Sequence, residues 1–262
     1  MAMGPRIVAL LFSVCLFPLT QASAGTAQEA WSKLVGKKAS KRPEMIFVHN
    51  DPALPNVLLY GDSISMAYTP YVRASLKGKA NVYRLHCNGG DSASFIPKMT
   101  QMHEAMRDKK QEGHWAFDWD VIHFNVGLHD LKYMANGKLD SKNGKQVHST
   151  EEYEKNLKLI IPYLKKLAPK AKLIFCTTTP VPKGGTGRVA GDALKYNKVA
   201  LKVMAEHPEI IVNDLYTFTK PNQPKWWTRP GNVHFKPNGC KAQGEEVARV
   251  VLQALKGQAG AK

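Results

Sequence analysis

This chain is short of acid, poor in cysteine and without an apolar run long enough to span a bilayer. Its 262 residues hold 21 Asp and Glu against 37 Lys and Arg, a formal net charge of +16. Such an excess suits nucleic acid, an anionic polymer or a membrane surface. The lysines, however, scatter over helical segments (Lys155, Lys158, Lys165, Lys166, Lys195, Lys198) and do not cluster with aromatics. That distribution argues against a nucleic-acid partner and for a solvated basic surface, with an acidic polysaccharide as the second reading. The N-terminal apolar run, Ile7 to Leu19, falls short of the roughly 20 residues a membrane helix needs. It lies behind Arg6 and ahead of Ala22-Ser23-Ala24, the layout of an export signal cleaved after Ala24. The expectation is a secreted or periplasmic protein with no stable membrane insertion. Of four cysteines, cleavage removes Cys15 and leaves Cys87, Cys176 and Cys240. An odd remainder permits at most one disulfide plus a free thiol. Cys176 lies in an apolar run and reads as core, so bridging of Cys87 to Cys240 stays open.

No internal repeat is present, and the length suffices for one well-buried core. Five apolar, β-branched runs stand out: Val57–Tyr60, Ala80–Leu85, Asp120–Val126, Lys172–Thr177 and Ile210–Leu215. They alternate with amphipathic segments near 65–77, 93–110, 150–168, 192–206 and 239–256. Ser149-Thr150-Glu151-Glu152 provides a capping box for the third of these, and Pro162 is expected to kink it. Strands alternating with helices predict a mostly parallel sheet covered on both faces, a three-layer α/β/α sandwich. Three segments follow: residues 1–24 as signal peptide, 25–53 as an irregular Lys-rich leader wrapping the domain edge, and 54–258 as the domain. Two long loops, 128–149 and 216–238, follow the third and fifth strands.

In an open parallel sheet, ligands bind beyond the C-terminal strand ends. The first run ends in Gly61-Asp62-Ser63-Ile64, which puts a serine hydroxyl and helix-start N–H groups at one point. Acyl transfer needs that combination of nucleophile and oxyanion donor. A plain capping serine is the competing reading. Among nine histidines, His234 in Gly231-Asn232-Val233-His234-Phe235 precedes the last helix, where its loop can fold back towards Ser63. Gly89-Gly90-Asp91-Ser92 follows the second strand and lets a backbone N–H approach a substrate oxygen. Asn125 and His129, at the end of the third strand, each offer a side-chain N–H. For Asn125, satisfying local backbone is the favoured alternative.

These blocks, in this order, resemble the SGNH (GDSL-type) hydrolase superfamily over about Leu54 to Leu255. Gly61-Asp62-Ser63-Ile64 resembles its first block, Asn88-Gly89-Gly90-Asp91-Ser92 its second, Gly127-Leu128-His129-Asp130 its third and Asn232-Val233-His234 its last. The Gly-x-His-Asp form of the third block is similar to a secreted bacterial esterase branch. The resemblance implies a flavodoxin-like sandwich of about five strands and a carboxylic-ester hydrolase without metal or organic cofactor. It makes Ser63 the nucleophile and His234 the base, and assigns the oxyanion to Ser63, Gly90 and the residue at His129. Two departures matter. His129 stands where the family carries Asn, and a neutral imidazole N–H can donate in its place. The family's Asp two or three residues before the base is absent, because Asn232 and Gly231 occupy those positions. Asn232 can orient the imidazole but adds no charge, leaving Asp130 or Asp214 to supply it from elsewhere.

No long apolar lid points to a long acyl chain. The loop Lys183-Gly184-Gly185-Thr186-Gly187-Arg188 and the pair Trp226-Trp227 suit a sugar ester, with Arg188 or Lys183 meeting an anionic group. The expected substrate is therefore a small ester or acylated polysaccharide, with carbohydrate O-acetyl groups first. A lysophospholipase or thioesterase is the alternative enzyme, and a non-catalytic glycan-binding protein the alternative class.

Overall fold

The computed structural model describes Met1 and residues 25–259, so the predicted export signal at 1–24 lies outside the described residues apart from Met1. In chain order the elements are α1 (Ala27–Val35), β1 (Asn56–Tyr60), α2 (Ser63–Ser75), β2 (Asn81–Arg84), α3 (Phe95–Met106) and β3 (Val121–Phe124). Then come β4 (Tyr133–Ala135), β5 (Lys138–Leu139), β6 (Lys145–Gln146), α4 (Thr150–Leu167), β7 (Lys172–Cys176) and α5 (Asp192–Ala205). The chain finishes with β8 (Ile211–Asn213), α6 (Leu215–Thr219), α7 (Gln223–Trp226) and α8 (Pro237–Ala259).

Five strands form one parallel sheet in the order β2-β1-β3-β7-β8. Strand β1 is buried along its whole length, as a strand covered on both faces requires. Helices α2 and α8 pack together on one face, while α3, α4 and α5 lie side by side on the other. The three-layer α/β/α sandwich expected from the alternation is the fold observed. Because β1 has β2 on one side and β3 on the other, the chain reverses its winding at β1. The crevice between the loops following β1 and β3 is the usual ligand position in such sheets.

Several local expectations need correction. The leader is not irregular: Thr26 and Glu29 form a capping box that starts α1, and Trp31 is buried with its indole N–H donating to the Met45 carbonyl. Helix α4 has the expected capping box at Ser149 and Glu152, and runs without a break through Pro162. The loop 128–149 carries a second sheet of three short antiparallel strands, in the order β5-β4-β6. Both α6 and α7 lie inside the long loop 216–238 or at its start. All three described cysteines are free thiols, so Cys87 and Cys240 are not bridged. Among the described residues, no helix is long and apolar enough to cross a membrane.

Candidate active site

Ser63 owes its position to a tight turn out of β1. Asp62 caps α2, its carboxylate accepting the Ile64 N–H at 2.8 Å, so Ser63 becomes the first helical residue. In that first turn no carbonyl of the helix can accept the backbone N–H. Gly61 is required here, because a Cβ would stand 2.8 Å from both Cβ and Oγ of Ser65. Under the turn lies Arg84 from β2, fully buried, donating to the Gly61 carbonyl at 3.3 Å and to Ser65 Oγ at 3.2 Å. Burial lowers its pKa to about 10, with nearby acidic groups opposing. This guanidinium splints the turn. Sequence reading missed it because an arginine inside a strand run looks like an edge residue.

His234 reaches Ser63 through helix packing. Helices α2 and α8 both start at the C-terminal edge of the sheet. They touch where Gly244 meets Tyr68 and Tyr71, each about two turns into its helix. A Cβ on Gly244 would lie 2.7 Å from the Tyr71 Cβ. This close approach draws the two helix starts together and sets the residues before α8 beside Ser63. Those residues are braced in turn: Trp227 bridges Phe235, and the Thr228 N–H donates to the His234 carbonyl at 3.0 Å.

Ser63 Oγ lies 2.8 Å from His234 Nε2, and His234 Nδ1 lies 2.8 Å from Asn232 Oδ1. The same Asn232 atom faces the His234 backbone N–H at 2.9 Å. A backbone N–H can only donate, so the Asn232 atom is the amide oxygen, and Nδ1 must carry the ring proton. Nε2 is thereby left as the acceptor of the Ser63 hydroxyl proton. Burial lowers the His234 pKa; the Asp62 carboxylate opposes that shift and Arg188 adds to it. The ring is thus neutral at neutral pH.

Neither acid expected to stand in for the missing carboxylate reaches His234. Asp130 is buried and accepts from the Ser92 N–H and hydroxyl, tying the second loop to the third. Burial raises its pKa, and the Ser92 hydrogen bonds oppose that shift. Asp214 caps α6 and accepts from the Thr177 hydroxyl. The Asp62 carboxylate, committed to capping α2, is the acid whose charge opposes the lowering of the His234 pKa by burial.

The remaining expected residues divide. Gly90 adopts a left-handed φ of +71°, but its N–H is held by the Asn88 side chain at 2.9 Å, so that side chain must swing away before Gly90 can serve a substrate. Gly89 presses on the turn instead, its N–H donating to the Gly61 carbonyl at 3.0 Å. The half-buried His129 ring has no hydrogen-bond partner among the described residues. Burial lowers its pKa; Asp62 opposes that shift, and Lys132 and Arg188 add to it, so the ring is a neutral N–H donor. Arg188 gives its Nε–H to the Leu128 carbonyl at 2.8 Å and lines a cleft of about 500 Å³ with Asn232 and His234. A second cleft of about 570 Å³ opens on the other side of His234, between Ser63, Met66, Tyr71 and the leader residues Arg42–Glu44. Asn125 is turned inward: its amide donates to the Cys176 carbonyl at 2.7 Å, linking β3 to β7, which leaves it structural. Trp226 packs on Phe218 and against Gly239. Trp227 lines a separate cavity beyond Gly231.

A model of the family described as GDSL-like lipase/acylhydrolase matches residues 29–247. A search of curated proteins returned no match. Solved structures share the fold: the acetyl xylan esterase AlAXEase aligns over 75% of this chain and 99% of its own, at a TM-score of 0.56 and 18% identity. A lipase/acylhydrolase from Enterococcus faecalis aligns over 75% of this chain and 95% of its own, at a TM-score of 0.56 and 17% identity. With the family match spanning most of its length, this chain belongs to the GDSL-like lipase/acylhydrolase family and is a carboxylic-ester hydrolase.

Proposed function

We propose that the protein is an exported serine esterase that removes O-acetyl groups from carbohydrate. His234 Nε2 takes the Ser63 hydroxyl proton while Ser63 Oγ attacks the ester carbonyl. The oxyanion is held by the Ser63 N–H and the His129 ring N–H, joined by the Gly90 N–H once Asn88 releases it. As the intermediate collapses and its bond to the sugar oxygen breaks, His234 gives the proton to that oxygen, releasing the sugar hydroxyl and leaving acetyl-Ser63. Water repeats the sequence and frees acetate. Asn232 keeps the imidazole in the tautomer this requires. The observation that carries the reading is the Ser63–His234–Asn232 chain at 2.8 Å and 2.8 Å.

Two clefts meeting at His234, rather than a long apolar tunnel, favour a small acyl group and a bulky polar alcohol. AlAXEase, an acetyl xylan esterase, has a related fold. Export with cleavage after Ala24 fits a domain whose first residues are already docked, since the Gly25 carbonyl accepts the Glu112 N–H at 3.2 Å. The test is hydrolysis of p-nitrophenyl acetate, and acetate release from acetylated xylan, by protein beginning at Gly25. Ser63→Ala and His234→Ala are each expected to lower turnover about a thousandfold or more. A wild type no faster than either variant overturns the proposal.

A further inference from the structure

Beyond the Arg229–Gly231 rim of the His234 cleft lies a separate cavity of about 710 Å³. Its walls include Tyr216, Trp227, Pro224 and Val181, and four cations stand around it: Lys183, Lys220, Arg229 and Lys236. No Asp or Glu lines it. None of the four cations makes an ion pair with a described residue. Lysines elsewhere on the surface do, such as Lys158 with Glu154 at 2.8 Å and Lys195 with Asp192 at 2.9 Å. Like charges around one cavity repel unless a counter-charge enters it. Lys220 Nζ stands 5.8 Å from the centre of the Tyr216 ring, which lines the same cavity. The cavity thus combines flat apolar walls and a rim of unpaired positive charge. Pyranose faces stack on such walls, and carboxylates match such a rim.

We propose that this cavity is a subsite for uronate residues of an anionic, O-acetylated polysaccharide. The proposal rests on the esterase reading above. The acetylated sugar sits at Ser63, and neighbouring residues of the same chain cross the Gly231 rim into the cavity. The excess of 37 basic over 21 acidic residues draws the polymer in, while the cavity selects it.

The experiment is calorimetric titration of the Ser63→Ala protein, which cannot turn over, with hexagalacturonate, xylohexaose and a sulfated dextran oligomer. Hexagalacturonate is expected to bind at least tenfold more tightly than xylohexaose, with affinity falling as salt rises. Lys220→Gln with Lys236→Gln should weaken it at least tenfold, and so should Lys183→Gln with Lys236→Gln. Removing the same charge from the α4–α5 surface, by Lys155→Gln with Lys198→Gln, should change it less than twofold. Equal losses in cavity and surface variants would mean attraction to the overall basic charge, and would overturn the subsite. Equal affinity for xylohexaose, tighter binding of the sulfated oligomer, or no binding of hexagalacturonate would overturn it too. Wild-type hydrolysis of p-nitrophenyl acetate, measured alongside, separates the two readings. Its absence sinks the esterase proposal, while hydrolysis without anionic preference sinks only the subsite.

Discussion

Replacing Asn232 with Asp asks whether the missing carboxylate limits the site. The Asn232 oxygen accepts from Nδ1 and from the backbone N–H of His234, at 2.8 Å and 2.9 Å. An aspartate in the same rotamer keeps both bonds and adds a charge. A neutral hydrogen bond contributes about 0.5–1.5 kcal/mol and one to a charged group about 1.5–3 kcal/mol. The extra stabilisation of a developing imidazolium is then about 1–1.5 kcal/mol, or roughly 5- to 13-fold in rate. This is far below the roughly 10⁴ lost when a serine-protease triad exchanges Asp for Asn, where the amide also imposes the wrong tautomer. Here the His234 backbone N–H already turns the amide oxygen to the ring, so only charge is missing. The pH profile moves with it. The base must be neutral, and burial holds His234 below its ordinary value despite Asp62, so the acidic limb of wild-type activity falls below about 6.5. The new carboxylate favours imidazolium and moves that limb up by about one unit. The assay is kcat/KM for p-nitrophenyl acetate from about pH 4 to 9. A variant slower than wild type, or one in which neither rate nor limb moves, would refute the reasoning.

Two further outcomes test the site and the domain edge. His129→Ala removes a neutral donor with no other partner; under the proposed role, kcat falls about 10²- to 10³-fold with KM little changed. An unchanged kcat would remove His129 from the oxyanion site. Trp31→Ala empties a position only 3% exposed and deletes the bond to the Met45 carbonyl. A loss of about 3–5 kcal/mol in urea unfolding is expected. A loss below about 1 kcal/mol would mean that α1 is only loosely attached.

The strands were legible because each is an apolar run with turn residues after it, a pattern set by the strand's own burial. Ser63 and His234 were legible because each lies next to the end or start of such an element. The α1 segment was misread because the lysines that follow it (Lys37, Lys38, Lys41) outweighed one capping box and one buried tryptophan. The β4–β6 sheet was missed because strands of two and three residues carry too little alternation to show a period. The role of Arg84 left no sequence signal, since it depends on the Gly61–Ser65 turn that the neighbouring strand brings to it. The Asn88–Gly90 bond is local, within one turn, and was passed over because Gly90 was read only as a donor to substrate.

By itself the sequence determined the sandwich, the side of the sheet where chemistry collects, and the residue types present there. Burial periodicity and turn chemistry are local properties, so they can be read along the chain. Tertiary structure decided which of those residues meet. The approach of α8 to α2 at Gly244 joins Ser63 to His234 across 171 positions. The Cys176 carbonyl at the end of β7 engages the Asn125 amide, and the turn into α2 places the Asp62 charge where it opposes the burial of His234. Those outcomes depend on distances between elements far apart in the chain, and only packing sets such distances.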